Sequence, residues 1–161
     1  MPGPHSPKKK KRGLAGARKR ENAGPTGGAV RYREGGPISA TQLQRLYEHA
    51  PWARGRSTDG IKRMLKATDY YFSGWDGARL VAFARVLTDR IYRATLWDVI
   101  VDADYQGRGV GDGLMEIVLK HPVLARVEKF WLNTRDKQPF YERFGFVASP
   151  QGMVRERGTR T

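Results

Sequence analysis

The sequence predicts an α/β (α+β) domain built on one central mixed, mostly antiparallel sheet flanked by about four helices. Three observations predict it. Apolar residues recur with a period of two in some short stretches and at helical spacing in others. The resulting order is β-α-α-β-β-β-α-β-α-β, without an internal repeat, and one sheet with helices on both faces is its simplest packing. The chain has 161 residues, 39% hydrophobic and 11% aromatic, which is core enough for one domain and too little for two.

The elements follow in order. Val30–Arg33 alternates as a short strand, and Gly35-Gly36-Pro37 ends it. Ser39 reads as an N-cap, with Leu43, Leu46 and Tyr47 on one helical face and Pro51 as the stop. A second helix is expected over about Thr58–Lys66, with Ile61, Met64 and Leu65 inward. Asp69–Trp75 reads as a strand, Asp76-Gly77 as a two-residue hairpin turn, and Leu80–Leu87 as the returning strand. Ile91–Val101 is almost continuously apolar, which predicts a central strand buried on both faces. A glycine-rich turn leads into an apolar helix, Gly111–Lys120. Phe130–Leu132 is a short strand, and Gln138–Phe144 a short helix with Pro139 in its first turn and Gly145 at its stop. Phe146-Val147 and Met153-Val154 are expected to form a last strand or hairpin.

Charge divides the chain in two. The net charge is +14, and residues 1–29 hold eight basic residues and one acid, half of that total. With little to bury, residues 1–29 read as a disordered basic tail ahead of a folded domain, residues 30–161. The tail suits phosphate binding on nucleic acid through residues 8–20, or nuclear import through Lys8–Arg12; a merely solvated tail, or translated upstream sequence, stands beside both. There is no cysteine, which excludes disulfides, thiolate metal sites and cysteine nucleophiles. No metal site is expected. A chain without cysteine suits a reducing compartment, and the expected location is cytoplasmic. The apolar runs fall short of a membrane span, and the basic N-terminus lacks the apolar stretch of a secretory signal.

The most informative segment is Gln106-Gly107-Arg108-Gly109-Val110-Gly111. A buried strand, a glycine turn and a helix start together form a phosphate cradle: the helix offers unpaired N–H groups and the positive end of its dipole. Arg108 adds a cation suited to phosphate. The loop lacks the Gly-Lys-Ser/Thr ending of a nucleotide-triphosphate loop, and its glycines miss the G-x-G-x-x-G spacing of dinucleotide sites. Asp112, in the first turn, suits the dipole but would repel a phosphate, so its side chain is expected to point away.

The same loop resembles the Gln/Arg-x-x-Gly-x-Gly/Ala loop of the GNAT acetyltransferases. Asp98-Val-Ile-Val-Asp-Ala-Asp-Tyr-Gln106 resembles that family's fourth strand, and Phe140–Phe146 its later Phe-Tyr-x-x-x-Gly-Phe block. Together they cover roughly residues 30–155, and with Trp52 and the Leu87-Thr-Asp89 strand end the pattern resembles the small bacterial and plastid GNAT proteins related to arylalkylamine (serotonin) acetyltransferases. The resemblance implies a GNAT fold and an acetyl-CoA-dependent N-acetyltransferase without a metal. It places the CoA pyrophosphate on Gln106, Gly107, Arg108, Gly109, Val110 and Gly111, the pantetheine arm along the backbone of Ile100 and Val101, and a further CoA contact at Asn133. It also implies that Tyr141 protonates the departing thiolate, although a core aromatic role beside Phe140 and Phe144 fits the same residue. Acetyl transfer needs a neutral amine, so a base or a water chain must take a proton. Asp98 could orient water or the amine, or pair structurally with an arginine; His49 is a weaker candidate.

The resemblance also implies an acceptor pocket built largely from the first two helices and their loop, a segment that here carries Tyr47, Trp52, Arg54, Arg56 and Tyr70: the aromatics suit an apolar or aromatic amine, Arg54 and Arg56 an acidic group. A small-molecule amine is the leading acceptor, and the basic body disfavours polycationic ones such as polyamines or aminoglycosides. A protein lysine or N-terminal amine is the second possibility. A nucleic-acid-associated protein acting through its tail is the third. Many relatives are dimers, so a homodimer is also expected.

Overall fold

The computed structural model describes residues 29–155. The tail readings, including residues 8–20, lie outside the described residues. The elements are β1 (Arg31–Glu34), α1 (Ala40–Tyr47), α2 (Thr58–Ala67), β2 (Tyr70–Asp76), β3 (Arg79–Thr88), β4 (Arg93–Val101), α3 (Val110–Leu119), β5 (Lys129–Leu132) and α4 (Gln138–Glu142). The five strands form one sheet in the order β1-β2-β3-β4-β5. Neighbours are antiparallel from β1 to β4, and β5 joins β4 in parallel.

Local chemistry starts the helices where the sequence places them. Ser39 Oγ accepts the Gln42 N–H at 3.1 Å, and Gln42 Oε1 accepts the Ser39 N–H at 3.3 Å. This reciprocal box satisfies two donors that a helix start otherwise leaves unpaired. Ser57 Oγ caps α2 by accepting the Gly60 N–H at 3.1 Å. At the end of α4, Gly145 takes φ 82°, and the Phe146 N–H returns to the Tyr141 carbonyl at 3.3 Å. That left-handed position is the stop that glycine supplies.

The sheet has two covered faces. Leu43, Leu46 and Tyr47 of α1 and Ile61 of α2 pack on Trp75, Leu80, Phe83 and Ile100. Leu114, Met115 and Val118 of α3 pack on Phe72, Ala82, Ala84 and Leu96 from the other side. Among the described residues no helix is long and apolar enough to cross a membrane.

Three expectations need correction. β4 is not buried on both faces: its residues alternate, and Trp97 is 37% exposed. It carries an extra residue, because Arg85 faces Trp97 while Phe83 faces Ile100. The bulge falls at Asp98, whose φ is 52°. One inserted residue reverses the alternation. Leu96 therefore packs toward α3, and Ile100 toward α1 and α2. Ile91 and Tyr92 precede the strand and are exposed, because the Asp89 carboxylate gathers the N–H groups of Ile91, Tyr92 and Arg93 into a turn. The hairpin turn is displaced by one residue: Asp76 pairs with Arg79, so Gly77 and Ala78 form the loop, with Gly77 at φ 55°. No strand follows Phe146 among the described residues, and Val147, Met153 and Val154 are exposed. Pro150 has no N–H for a ladder, and β5 offers an edge of only four residues.

Candidate active site

β4 outruns β5. Arg93–Leu96 pairs with Lys129–Leu132, and there β5 ends. Trp97–Val101 is paired only on its β3 side, which leaves an open backbone edge. That edge runs directly into the glycine loop, and the junction is tied down. The Tyr105 hydroxyl donates to Asp76 at 2.7 Å, while Arg79 reaches Asp102 at 2.8 Å and Asp104 at 3.0 Å. The Gln106 side-chain amide donates to the Val101 carbonyl at 3.0 Å.

The loop itself is exposed from Gln106 to Gly109. Gly109 is the N-cap of α3 at φ 75°, a conformation that side chains with a Cβ resist. The first helical bond runs from the Gly113 N–H to the Gly109 carbonyl at 3.0 Å, so the amides before it are the unpaired donors of a helix start. Two further glycines are needed for space. A Cβ on Gly111 would lie 3.3 Å from the Phe140 ring, and one on Gly113 would lie 2.5 Å from Tyr32. Tyr32 is itself anchored by donating to the Val110 carbonyl at 3.1 Å. Asp112 turns to Arg143 at 2.7 Å, which offsets the one negative charge at this helix start. The Arg108 guanidinium lies 5.6 Å from the Tyr105 ring centre.

Where β5 ends is a cavity of about 260 Å³, lined by Leu132, Asn133, Gln138, Tyr141 and Phe146 among others. Tyr141 is 9% exposed and meets Phe140 and Phe146 edge-on. Burial pushes its phenol up to about 12. Its hydroxyl has no hydrogen-bond partner among the described residues, yet it is not sealed from solvent. The phenol is therefore protonated at neutral pH and lines the cavity.

Asp98 is the hub of the opposite face. Its carboxylate accepts from the Tyr47 hydroxyl at 2.9 Å, from both terminal nitrogens of Arg56 at 2.8 and 3.3 Å, and from Arg85 Nε at 2.7 Å. Burial alone would raise its pKa, but the hydrogen bonds from Arg56 and Arg85 outweigh burial and hold it below the ordinary carboxylate value. Burial, followed by the Asp98 charge, pushes the Tyr47 phenol well above its usual range. The Arg56 guanidinium lies 4.7 Å from the Tyr47 ring centre and 5.5 Å from that of Trp52.

Other expected residues lie elsewhere. Tyr70 is on the α3 side, 4.7 Å from the His121 ring, and does not join Tyr47, Trp52 and Arg56. Its strand position parity, rather than its sequence neighbourhood, decides its face. Arg54 bonds to the Glu48 carbonyl at 3.1 Å. His49 sits 3.8 Å from Asp102 at the loop junction. Arg85 was not anticipated; its only signal is a lone charge inside the apolar stretch Leu80–Leu87. No trio of His, Cys, Asp or Glu placed to hold a metal occurs among the described residues.

The strand β4 that outruns β5, the glycine-lined start of α3 and the buried Tyr141 beside the cavity lie together at one end of the sheet. The acetyltransferase (GNAT) domain family matches residues 67–148, and the chain belongs to that family. An uncharacterized N-acetyltransferase, ycf52, of Porphyra purpurea is 31% identical over 121 residues, covering 72% of this chain and 69% of that protein. A Glycine max protein named histone acetyltransferase TAP1 is 30% identical over 135 residues, covering 76% of this chain and 58% of that protein. The crystal structure of a GNAT-family protein from Xanthomonas campestris pv. campestris is 29% identical, with a TM-score of 0.67 over 79% of this chain and 93% of that one. The chain thus spans little more than half of its Glycine max relative.

Proposed function

We propose that the chain transfers an acetyl group from acetyl-CoA to the primary amine of a small molecule. The observation that carries this reading is the continuity of the open β4 edge with the glycine-lined start of α3. The amides of the exposed Gly107–Gly109 turn and of the first residues of α3, with the Arg108 side chain, suit the phosphates of CoA. The Asp112–Arg143 pair removes the charge that would oppose them. The backbone edge at Ile100 and Val101 suits an amide-bearing arm, with Asn133 at the end of β5.

Acetyl-CoA supplies the thioester carbon that the amine attacks. The amine nitrogen bonds that carbon, the carbon–sulfur bond breaks, the amine gives up a proton and the sulfur gains one. Tyr141 gives the sulfur its proton. Asp98 is ionised and occupied by four donor contacts, so it orients the acceptor side and leaves proton removal to water.

A protein acceptor is the second reading, favoured by the name of the Glycine max relative. The net charge of +14 disfavours lysine-rich peptides, and no strand after Phe146 walls a peptide groove among the described residues. The test measures thiol release from acetyl-CoA with small amines and with lysine peptides. Release with small amines supports the first reading, release with peptides alone the second, and release with neither sinks both.

A further inference from the structure

A second cavity, of about 270 Å³, opens between α2 and β3, lined by Arg56, Ser57, Gly60, Ile61, Met64 and Arg85. Two guanidinium groups line it, and both pair with one buried carboxylate behind the lining, Asp98. The nearby acid of α2, Asp59, is exposed and turned to Arg63 at 3.3 Å. The cavity is therefore positive by about one charge.

The two arginines are used differently. Arg56 places both terminal nitrogens on Asp98. Arg85 uses only Nε, and its two terminal nitrogens have no acceptor among the described residues. Its side chain is 15% exposed, and among the described residues no polar side-chain atom is both sealed and unpartnered. The free end of Arg85 thus meets solvent at the cavity it lines. A planar pair of N–H groups held in place by a third bond is the arrangement that suits a carboxylate. Ile61 and Met64 give the cavity apolar walls, and Trp97 lies beneath Arg85, 5.9 Å from ring centre to guanidinium.

The position fits an acceptor. Asp98, which holds both arginines, is the bulge residue of β4, on the strand whose open edge faces the acetyl donor in the reading above. The positive cavity also disfavours an ammonium and so favours the neutral, nucleophilic amine.

We propose that this cavity binds the acceptor, and that Arg85 recognises a carboxylate carried by it: the acceptor is an amine of amino-acid type with an apolar side chain. The proposal rests on the acetyl-transfer reading, but its test is a binding measurement that needs no turnover. The full chain is titrated calorimetrically with the N-acetyl derivatives of alanine, leucine and phenylalanine, each as free acid and as neutral amide. The acid is expected to bind at least tenfold more tightly than its amide in at least one pair. Arg85→Met is expected to abolish that preference, a loss of roughly 10- to 100-fold for the acid, the usual worth of a hydrogen bond to a charged group. Arg85→Lys, which keeps the charge but loses the fork, is expected to retain part of it, and serves if Arg85→Met does not fold. Equal binding of acid and amide in every pair overturns the proposal, as does an unchanged preference in Arg85→Met. Thiol release with amines lacking a carboxylate, alongside equal binding, would leave acetyl transfer standing and remove the carboxylate site alone.

Discussion

Arg85 Nε donates to Asp98 Oδ2 at 2.7 Å, and the carboxylate it reaches stands on a left-handed backbone at φ 52°. The pair ties β3 to the bulge in β4, across the register shift that reverses the strand's two faces. Asp98→Asn keeps a residue that tolerates the left-handed region but removes the counter-charge from two arginines. The expected cost is about 3 kcal/mol, the range for breaking a buried pair, read from urea-unfolding midpoints. An unchanged midpoint would show that the network carries no stability.

The same pair sets an acid limit. The Asp98 pKa lies below its ordinary value of 3.8, so the unfolded chain takes up this proton first as the pH falls. The stabilisation is complete above the ordinary value and is lost as the pH falls through the lower, folded one. Wild-type stability is expected to decline below about pH 4, with a shallower decline in Asp98→Asn. Identical acid slopes in the two proteins would contradict this.

Tyr141→Phe is expected to lower turnover about 100-fold, the lower range for general acid catalysis, with little change in acetyl-CoA affinity. Stability is expected to stay within about 0.5 kcal/mol, because the hydroxyl lost has no partner among the described residues. With its phenol pushed up to about 12, Tyr141 keeps its proton where an unfolded tyrosine loses it. That stabilisation is present below pH 10 and is lost as the pH rises toward 12. Steady-state kinetics and alkaline unfolding of the two proteins test both effects, and unchanged turnover would remove Tyr141 from the chemistry.

Gly113→Ala places a methyl group where Tyr32 now lies, 2.5 Å away. Overpacking of this kind costs about 1–3 kcal/mol. The cost is expected to shrink in the double variant Tyr32→Ala/Gly113→Ala, because the obstructing ring is then gone. Thermal unfolding of the single and double variants measures the coupling, and simple additivity would refute the contact.

Asp112→Asn frees Arg143 and removes a negative charge from the start of α3. The exposed pair contributes under about 1 kcal/mol to stability. The acetyl-CoA KM is expected to fall a few-fold at low salt and less at high salt, as screening weakens the field. A raised KM would place the phosphates elsewhere.

What the sequence made legible was local. The Ser39–Gln42 cap, the Gly145 stop and the strand–glycine–helix passage at Gln106–Gly111 each depend on neighbours a few residues apart, and each has its own residue signature. The Asp98 bulge has none: no glycine or asparagine marks the left-handed position, and only pairing with β3 shows the extra residue. Tyr70 was assigned to the acceptor side by proximity in sequence, whereas strand parity turns it toward His121. Arg85 was visible as an oddity, a cation among apolar residues, but its partners Asp98 and Trp97 come from another strand. No last strand forms beside β5, whose open edge is only four residues long, a property that Phe146-Val147 does not reveal.

The central claim, that the β4 edge and the Gln106–Gly111 loop hold CoA, is tested most directly by titrating the isotopically labelled full chain with CoA and following backbone amide shifts. One-to-one binding is expected, with the largest shifts at Gly107–Gly111 and Val99–Val101, weakened at least tenfold by Gly109→Val. Shifts confined to residues 8–20, or no binding at all, would contradict it.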